Sequence, residues 1–200
     1  MTAPVTPQWA HCAAPALPGA DGVPVVLMVA TPETTVRDDA RALVRAALRD
    51  YLAPLIGCAP AAVPLQIAPG EPPRLALPGQ PLHLSISHDA GLTLAALRMG
   101  GTVGVDLMRI PAAPLPDWQA LAQDYLGPGA LASLTHAGAG ERPHAFAQAW
   151  SRHEAALKCL GLPLQEWTVE LARALAACDV AGLALPDGYV GALATAPRIG

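Results

Sequence analysis

Aromatic side chains are scarce: four Trp, three Tyr and one Phe, 4% of 200 residues. Packing must therefore rest on small aliphatic groups. Charge is scarce too, at 14%, with 12 Lys and Arg against 16 Asp and Glu for a formal net charge of −4. A protein that neutralises many nucleic-acid phosphates carries a basic excess or a basic stripe interleaved with stacking rings. Neither is present, which argues against a nucleic-acid partner. There is no long apolar run: residues 23–30 are too few to cross a bilayer, and residues 1–9 lack a basic region leading into an apolar stretch. No membrane association is expected, and the expected location is the cytoplasm. The four cysteines, Cys12, Cys58, Cys159 and Cys178, form no Cys-x-x-Cys pair and have no His at zinc-ligand spacing, so they read as free thiols. What is abundant is apolar residue, 52%, which at this length and low net charge excludes a disordered chain and fits one compact unit.

A Pro-rich leader, residues 1–22, precedes a buried strand over 23–30 that Thr31-Pro32 closes. Thr35 with Asp38 has the form of a capping box. Beyond it Val36, Ala40, Leu43, Val44, Ala47, Leu48, Tyr51 and Leu52 recur at helical period up to Pro54. On the other side of that helix Arg37, Arg41, Arg45 and Arg49 step by four, either a solvated face or a row turned toward an anion. Six prolines between residues 59 and 81 leave room only for short extended pieces. Strands follow over 83–87, 92–98 and 102–108, with Asp89-Ala90-Gly91 as one turn and Gly100-Gly101 as a two-residue hairpin loop. That loop predicts an antiparallel meander pairing Leu97 with Gly104, Ala95 with Asp106 and Thr93 with Met108. It also predicts that His88, Asp89 and Asp106 converge at one end of the sheet. Short helices are expected over 117–126 and 129–134. A longer one is expected over 143–160, with Pro143 in its first turn, Gly161 at its C-terminus, and Phe146, Ala149, Trp150, His153, Leu157 and Leu160 as its buried stripe. Residues 167–171 and 189–195 read as closing strands.

Taken singly, the polar residues have ordinary explanations. Asp106 suits a solvent-facing strand position, Glu154 and Lys158 suit an i,i+4 helix pair, and His88 suits a turn histidine bonded to backbone. Ser87-His88-Asp89 is not a hydrolase triad, because neighbours on an extended chain point to opposite sides.

Taken together, three segments carry a resemblance. They are Leu84-Ser85-Ile86-Ser87-His88, Val103-Gly104-Val105-Asp106-Leu107, and Trp150-Ser151-Arg152-His153-Glu154-Ala155-Ala156-Leu157-Lys158. In order and spacing they resemble the signatures of 4'-phosphopantetheinyl transferases, and the length and early helix resemble the surfactin-type, single-chain branch. The resemblance implies an α+β fold of two pseudo-related halves, residues 23–101 and 102–200, with the active site at their interface in a monomer. It implies transfer of phosphopantetheine from coenzyme A to a serine of an apo acyl or peptidyl carrier protein, with release of adenosine 3',5'-bisphosphate. Such a reaction needs Mg²⁺ on the pyrophosphate.

By the same resemblance Asp106 and Glu154 are metal ligands. Glu154 also takes the serine proton, and Lys158 stabilises phosphate charge. Ser87, His88, Arg37 and Arg74 contact coenzyme A. Three positions depart from the pattern. Met108 replaces a third carboxylate ligand, for which Asp89 is the expected substitute. His153 stands where a Lys usually precedes the Glu. In Gly70-Glu71-Pro72-Pro73-Arg74, where a nucleotide-contacting motif usually lies, only Arg74 is basic. These departures leave open a second reading, a homologue that binds coenzyme A or carrier protein without turnover.

Overall fold

The computed structural model describes residues 3–11, 22–33, 37–66, 73–75 and 82–197, and of Arg37 and Asp38 only the backbone. A short strand, β1 (Gln8–Trp9), runs parallel to β2 (Val25–Ala30), whose unbroken apolar run suits a buried position. Helix α1 (Arg37–Ile56) buries Ala40, Val44, Leu48, Tyr51 and Leu52 of the face its periodicity predicts, whereas Leu43, expected on that face, is exposed and Ala47 half-buried. The expected capping box lies outside the described residues. The helix continues past Pro54, where the sequence places its end. Pro54 is exposed and in the last turn, so its missing N–H costs one hydrogen bond, and Gly57 at φ +68° ends the helix instead. The Pro-rich stretch yields a single turn of 3₁₀ helix (Pro60–Ala62) and the short pair β3 (Leu65–Gln66) and β4 (Arg74–Leu75).

Strands β5 (Leu82–Asp89) and β6 (Leu92–Met99) form an antiparallel hairpin around Gly91. After Gly100 come β7 (Gly101–Arg109), α2 (Trp118–Leu121) with a wider turn over Ala122–Leu126, α3 (Pro128–His136), α4 (Arg142–Leu160), α5 (Val169–Leu175), β8 (Asp179–Gly182) and β9 (Tyr189–Pro197). The predicted β6–β7 hairpin does not form. β6 lies between β2 and β5, so both of its edges are taken, in a sheet of order β1-β2-β6-β5. β7 pairs instead with β9, from Gly101 opposite Pro197 to Arg109 opposite Tyr189, in a second sheet of order β7-β9-β8. Gly100, at φ +75°, is the point where the chain leaves one sheet for the other.

Four layers result. Helix α1 covers one face of the first sheet through Leu48, Leu52, Leu84 and Leu97. The two sheets meet through Val26, Leu94, Val103, Val105, Leu107 and Leu193. Helix α4 covers the outer face of the second sheet, where Ala155, Ala156 and Cys159 meet Ala192, Ala194 and Ala196. The N-terminal segment is tied in as well, with Val5 N–H donating to the Gly182 carbonyl and Ala184 N–H to the Val5 carbonyl, both at 2.9 Å.

Two further expectations are corrected. The buried face of α4 is Ala147, Ser151, Ala155 and Cys159 with Phe146 and Leu157, whereas Ala149, Trp150, His153 and Leu160 are only half-buried. Small residues win because the sheet opposite is also built of Ala and Gly, and close backbone approach replaces bulky interdigitation. Residues 167–171 are not a strand. Thr168 caps α5, its hydroxyl accepting from Leu171 N–H at 3.0 Å, and the Ala-rich run continues the helix.

Candidate active site

Alternation along β7 sends Val103, Val105 and Leu107 into the layer between the sheets and turns Gly104 and Asp106 toward α4. At Gly104 strand and helix nearly touch: a Cβ there would stand 2.0 Å from the Ala155 carbonyl oxygen and 2.4 Å from the Cys159 amide nitrogen. Only glycine permits this contact. One turn of helix then suffices to lay Lys158, the single lysine of the chain, over Asp106.

Lys158 Nζ donates to Asp106 Oδ1 at 2.7 Å, to Ser87 Oγ at 3.2 Å and to the Val105 carbonyl at 3.3 Å. The Ser87 hydroxyl donates to the same Oδ1 at 2.7 Å and accepts from Leu107 N–H at 3.2 Å. Thus β5, β7 and α4 each send one polar side chain to a single point. Asp106 is 7% exposed. Burial pushes its carboxyl above the usual carboxylate range and the charge of Asp89 adds to this, against the opposing pull of Lys158 and Ser87. Glu154, one turn before Lys158 and half-buried, is also raised, first by burial and then by the charge of Asp106, with Lys158 opposing. The charge of Asp106 disfavours that of Glu154, and a hard cation between such carboxylates would relieve this. Among the described residues no group of three or more His, Cys, Asp and Glu side chains is placed to hold a metal ion. A cation there would take at most the two carboxylates of Asp106 and Glu154 and complete its shell with substrate oxygens and water.

The other expected residues are placed as follows. Asp89 stands on the same face of β5 as Ser87, with Oδ1 accepting from Ala90 N–H at 2.7 Å and Oδ2 from Arg109 N–H at 2.6 Å. His88 does not converge with Asp106. It turns to the opposite face of β5, where Nδ1 lies 2.8 Å from Thr93 Oγ1. Arg74 is exposed on β4. The Arg37 side chain lies outside the described residues. Met108 is half-buried against the cluster of Trp118, Leu134 and Phe146.

Sequence reasoning gave no role to Ser85, whose hydroxyl accepts from Val105 N–H at 3.0 Å, or to Tyr189, whose hydroxyl donates to the Ala90 carbonyl at 2.5 Å. Ser85 was legible as the residue two before Ser87, on the same face of β5 by alternation. Tyr189 was not, because it comes from a strand a hundred residues away.

His153, beside Glu154, is held by burial below its ordinary value of 6.5, and among the described residues its buried Nε2 has no hydrogen-bond partner. The folded chain takes up this proton at lower pH than the unfolded chain does, so below 6.5 the unfolded state binds more protons and stability falls as pH drops through that value. In thermal melts taken at decreasing pH across this range, His153→Gln is expected to lose less stability than the parent chain. Equal slopes would contradict the burial argument.

Among the described residues no helix is long and apolar enough to cross a membrane. No curated protein matches the chain. Residues 102–184, the segment that holds Gly104, Asp106, Glu154 and Lys158, match the ACPS family, the 4'-phosphopantetheinyl transferase superfamily.

Proposed function

We propose that the chain is a 4'-phosphopantetheinyl transferase of the surfactin type: a monomeric cytoplasmic enzyme of two pseudo-related halves. It moves the phosphopantetheine arm of coenzyme A to a serine of an apo acyl or peptidyl carrier protein and releases adenosine 3',5'-bisphosphate. The observation that carries this reading is the meeting of Asp106 and Lys158 beside Glu154, on the strand and helix of the segment that matches the family. Asp106 and Glu154 would hold Mg²⁺, which when bound neutralises the pyrophosphate of coenzyme A.

The rest is work for the side chains. Ser87 and Lys158 both bond to Oδ1 of Asp106 and so fix the orientation of that carboxylate. Glu154, its carboxyl raised above the ordinary value by burial and by the charge of Asp106, suits a group that takes the proton of the incoming serine hydroxyl, directly or through a water. That oxygen forms a new bond to the phosphorus bearing the pantetheine, and the bond from this phosphorus to the bridging pyrophosphate oxygen breaks. Lys158, a donor with three N–H groups, offsets the charge that collects on the phosphate oxygens. His88, Arg37 and Arg74 are the proposed contacts to the other phosphates of coenzyme A.

The test is a mass measurement. Apo carrier proteins from fatty-acid, polyketide, peptide and siderophore pathways are incubated with the protein, coenzyme A and Mg²⁺. The expected result is addition of one phosphopantetheine to a serine of at least one carrier. No addition to any of them, with coenzyme A still bound, would replace this reading with that of a binding protein without turnover.

A further inference from the structure

Along one face of β5, every second residue offers an oxygen to a backbone amide of β7. Val105 N–H donates to Ser85 Oγ at 3.0 Å, Leu107 N–H to Ser87 Oγ at 3.2 Å and Arg109 N–H to Asp89 Oδ2 at 2.6 Å. The partners advance in step, 85 with 105, 87 with 107 and 89 with 109, as in a parallel ladder, but the acceptors are side chains instead of carbonyls. β5 and β7 belong to different sheets, so this seam joins the sheets on either side of Asp106. Its far end is pinned a second time: Tyr189 of β9 bonds the Ala90 carbonyl, and a Cβ on Gly91 would come within 2.7 Å of the Tyr189 hydroxyl.

We propose that Ser85 and Asp89 are positioning residues that set the register of β7 against β5, and that Asp89 closes this seam instead of serving as the third ligand of the cation. Each of its carboxylate oxygens already accepts a backbone N–H, one from its own turn and one from β7. Those bonds require two acceptor oxygens, whereas a ligand to Mg²⁺ in place of a missing glutamate requires the charge. Ser85 acts at the other end, two residues before Ser87, and keeps the amide two residues before Leu107 satisfied in a buried position. Together they hold Ser87 where it can bond Asp106. The activity measurements below rest on the transferase reading; the exchange measurements do not.

The test compares the parent chain with Ser85→Ala, Ser85→Thr, Asp89→Ala and Asp89→Asn. Residue-resolved amide hydrogen exchange should be about tenfold faster at Val105 in Ser85→Ala and at Arg109 in Asp89→Ala, the loss of one hydrogen bond. Ser85→Thr, which keeps the hydroxyl acceptor, should restore protection at Val105, and Asp89→Asn, which keeps one of the two acceptor oxygens, should restore it in part at Arg109. In transfer assays Asp89→Ala should lower kcat while the Mg²⁺ concentration for half-maximal rate stays within about twofold, since no ligand is lost. Unchanged exchange at Val105 and Arg109 in the alanine variants would overturn the seam. A Mg²⁺ midpoint moved about tenfold or more in both Asp89→Ala and Asp89→Asn would overturn the assignment of Asp89 and return it to the cation. Should the parent chain show no transfer at all, the transferase reading falls and the exchange results alone decide the seam.

Discussion

Asp106→Asn is expected to lower phosphopantetheine transfer by about 10²–10³-fold at saturating Mg²⁺, the scale on which removal of one electrostatic group from a reacting site acts. The fold should survive. Asn keeps the volume and an oxygen that can accept from Ser87 and Lys158, and Lys158, its side chain 31% exposed, is not stranded away from water. Stability has a defined sign here. Because the folded state holds the Asp106 carboxyl above its ordinary 3.8, it binds more protons than the unfolded chain at pH values above 3.8. The contribution of this group to stability is therefore present at low pH and lost as pH rises through the raised value. Without added metal, the melting temperature of Asp106→Asn relative to the parent chain should rise from acid to neutral pH. A variant that loses activity by unfolding, with its melting temperature collapsed at every pH, would contradict the assigned role.

Gly104→Val should be the most damaging single change to the fold. Its Cβ would meet the Ala155 carbonyl and the Cys159 amide, both backbone atoms of a helix that cannot step aside without leaving the alanines of β9. Overpacking against side chains costs about 1–3 kcal/mol; against backbone on this scale at least about 3 kcal/mol is expected. For a chain of this size that is a fall of roughly 10 °C in melting temperature. Activity should fall further than stability alone explains, because displacing α4 carries Glu154 and Lys158 away from Asp106. A melting temperature unchanged within experimental error would show that α4 does not sit on β7 as described.

Gly104 also shows what the sequence made legible. Asp106, Glu154, Lys158 and Ser87 stood out because the three segments that hold them resemble the signatures of a known family, and alternation on β7 placed Asp106 opposite the apolar face. The glycine two residues before it was visible as part of a pattern, but its reason, the touch of α4, is a tertiary fact. The same division explains the failures. Gly100-Gly101 carries a strong local hairpin signal, yet pairing is decided by which edges are free, and β2 had already taken the edge of β6. The large residues of α4 seemed to mark its buried stripe because volume usually does. Here the packing of Ala147, Ser151, Ala155 and Cys159 on a sheet of Ala and Gly turned a different face inward. At residues 167–171 a Trp and β-branched residues favour a strand locally, and one side-chain cap at Thr168 was enough to start a helix.

A carboxylate of β7 and one of α4 are proposed to share a divalent cation. Binding of Mn²⁺ in place of Mg²⁺, followed by electron paramagnetic resonance in the presence of coenzyme A, tests this without a carrier protein or turnover. One bound ion is predicted for the parent chain, with binding weakened strongly and to a similar degree in Asp106→Asn and Glu154→Gln. Undiminished Mn²⁺ binding in either folded variant would contradict it.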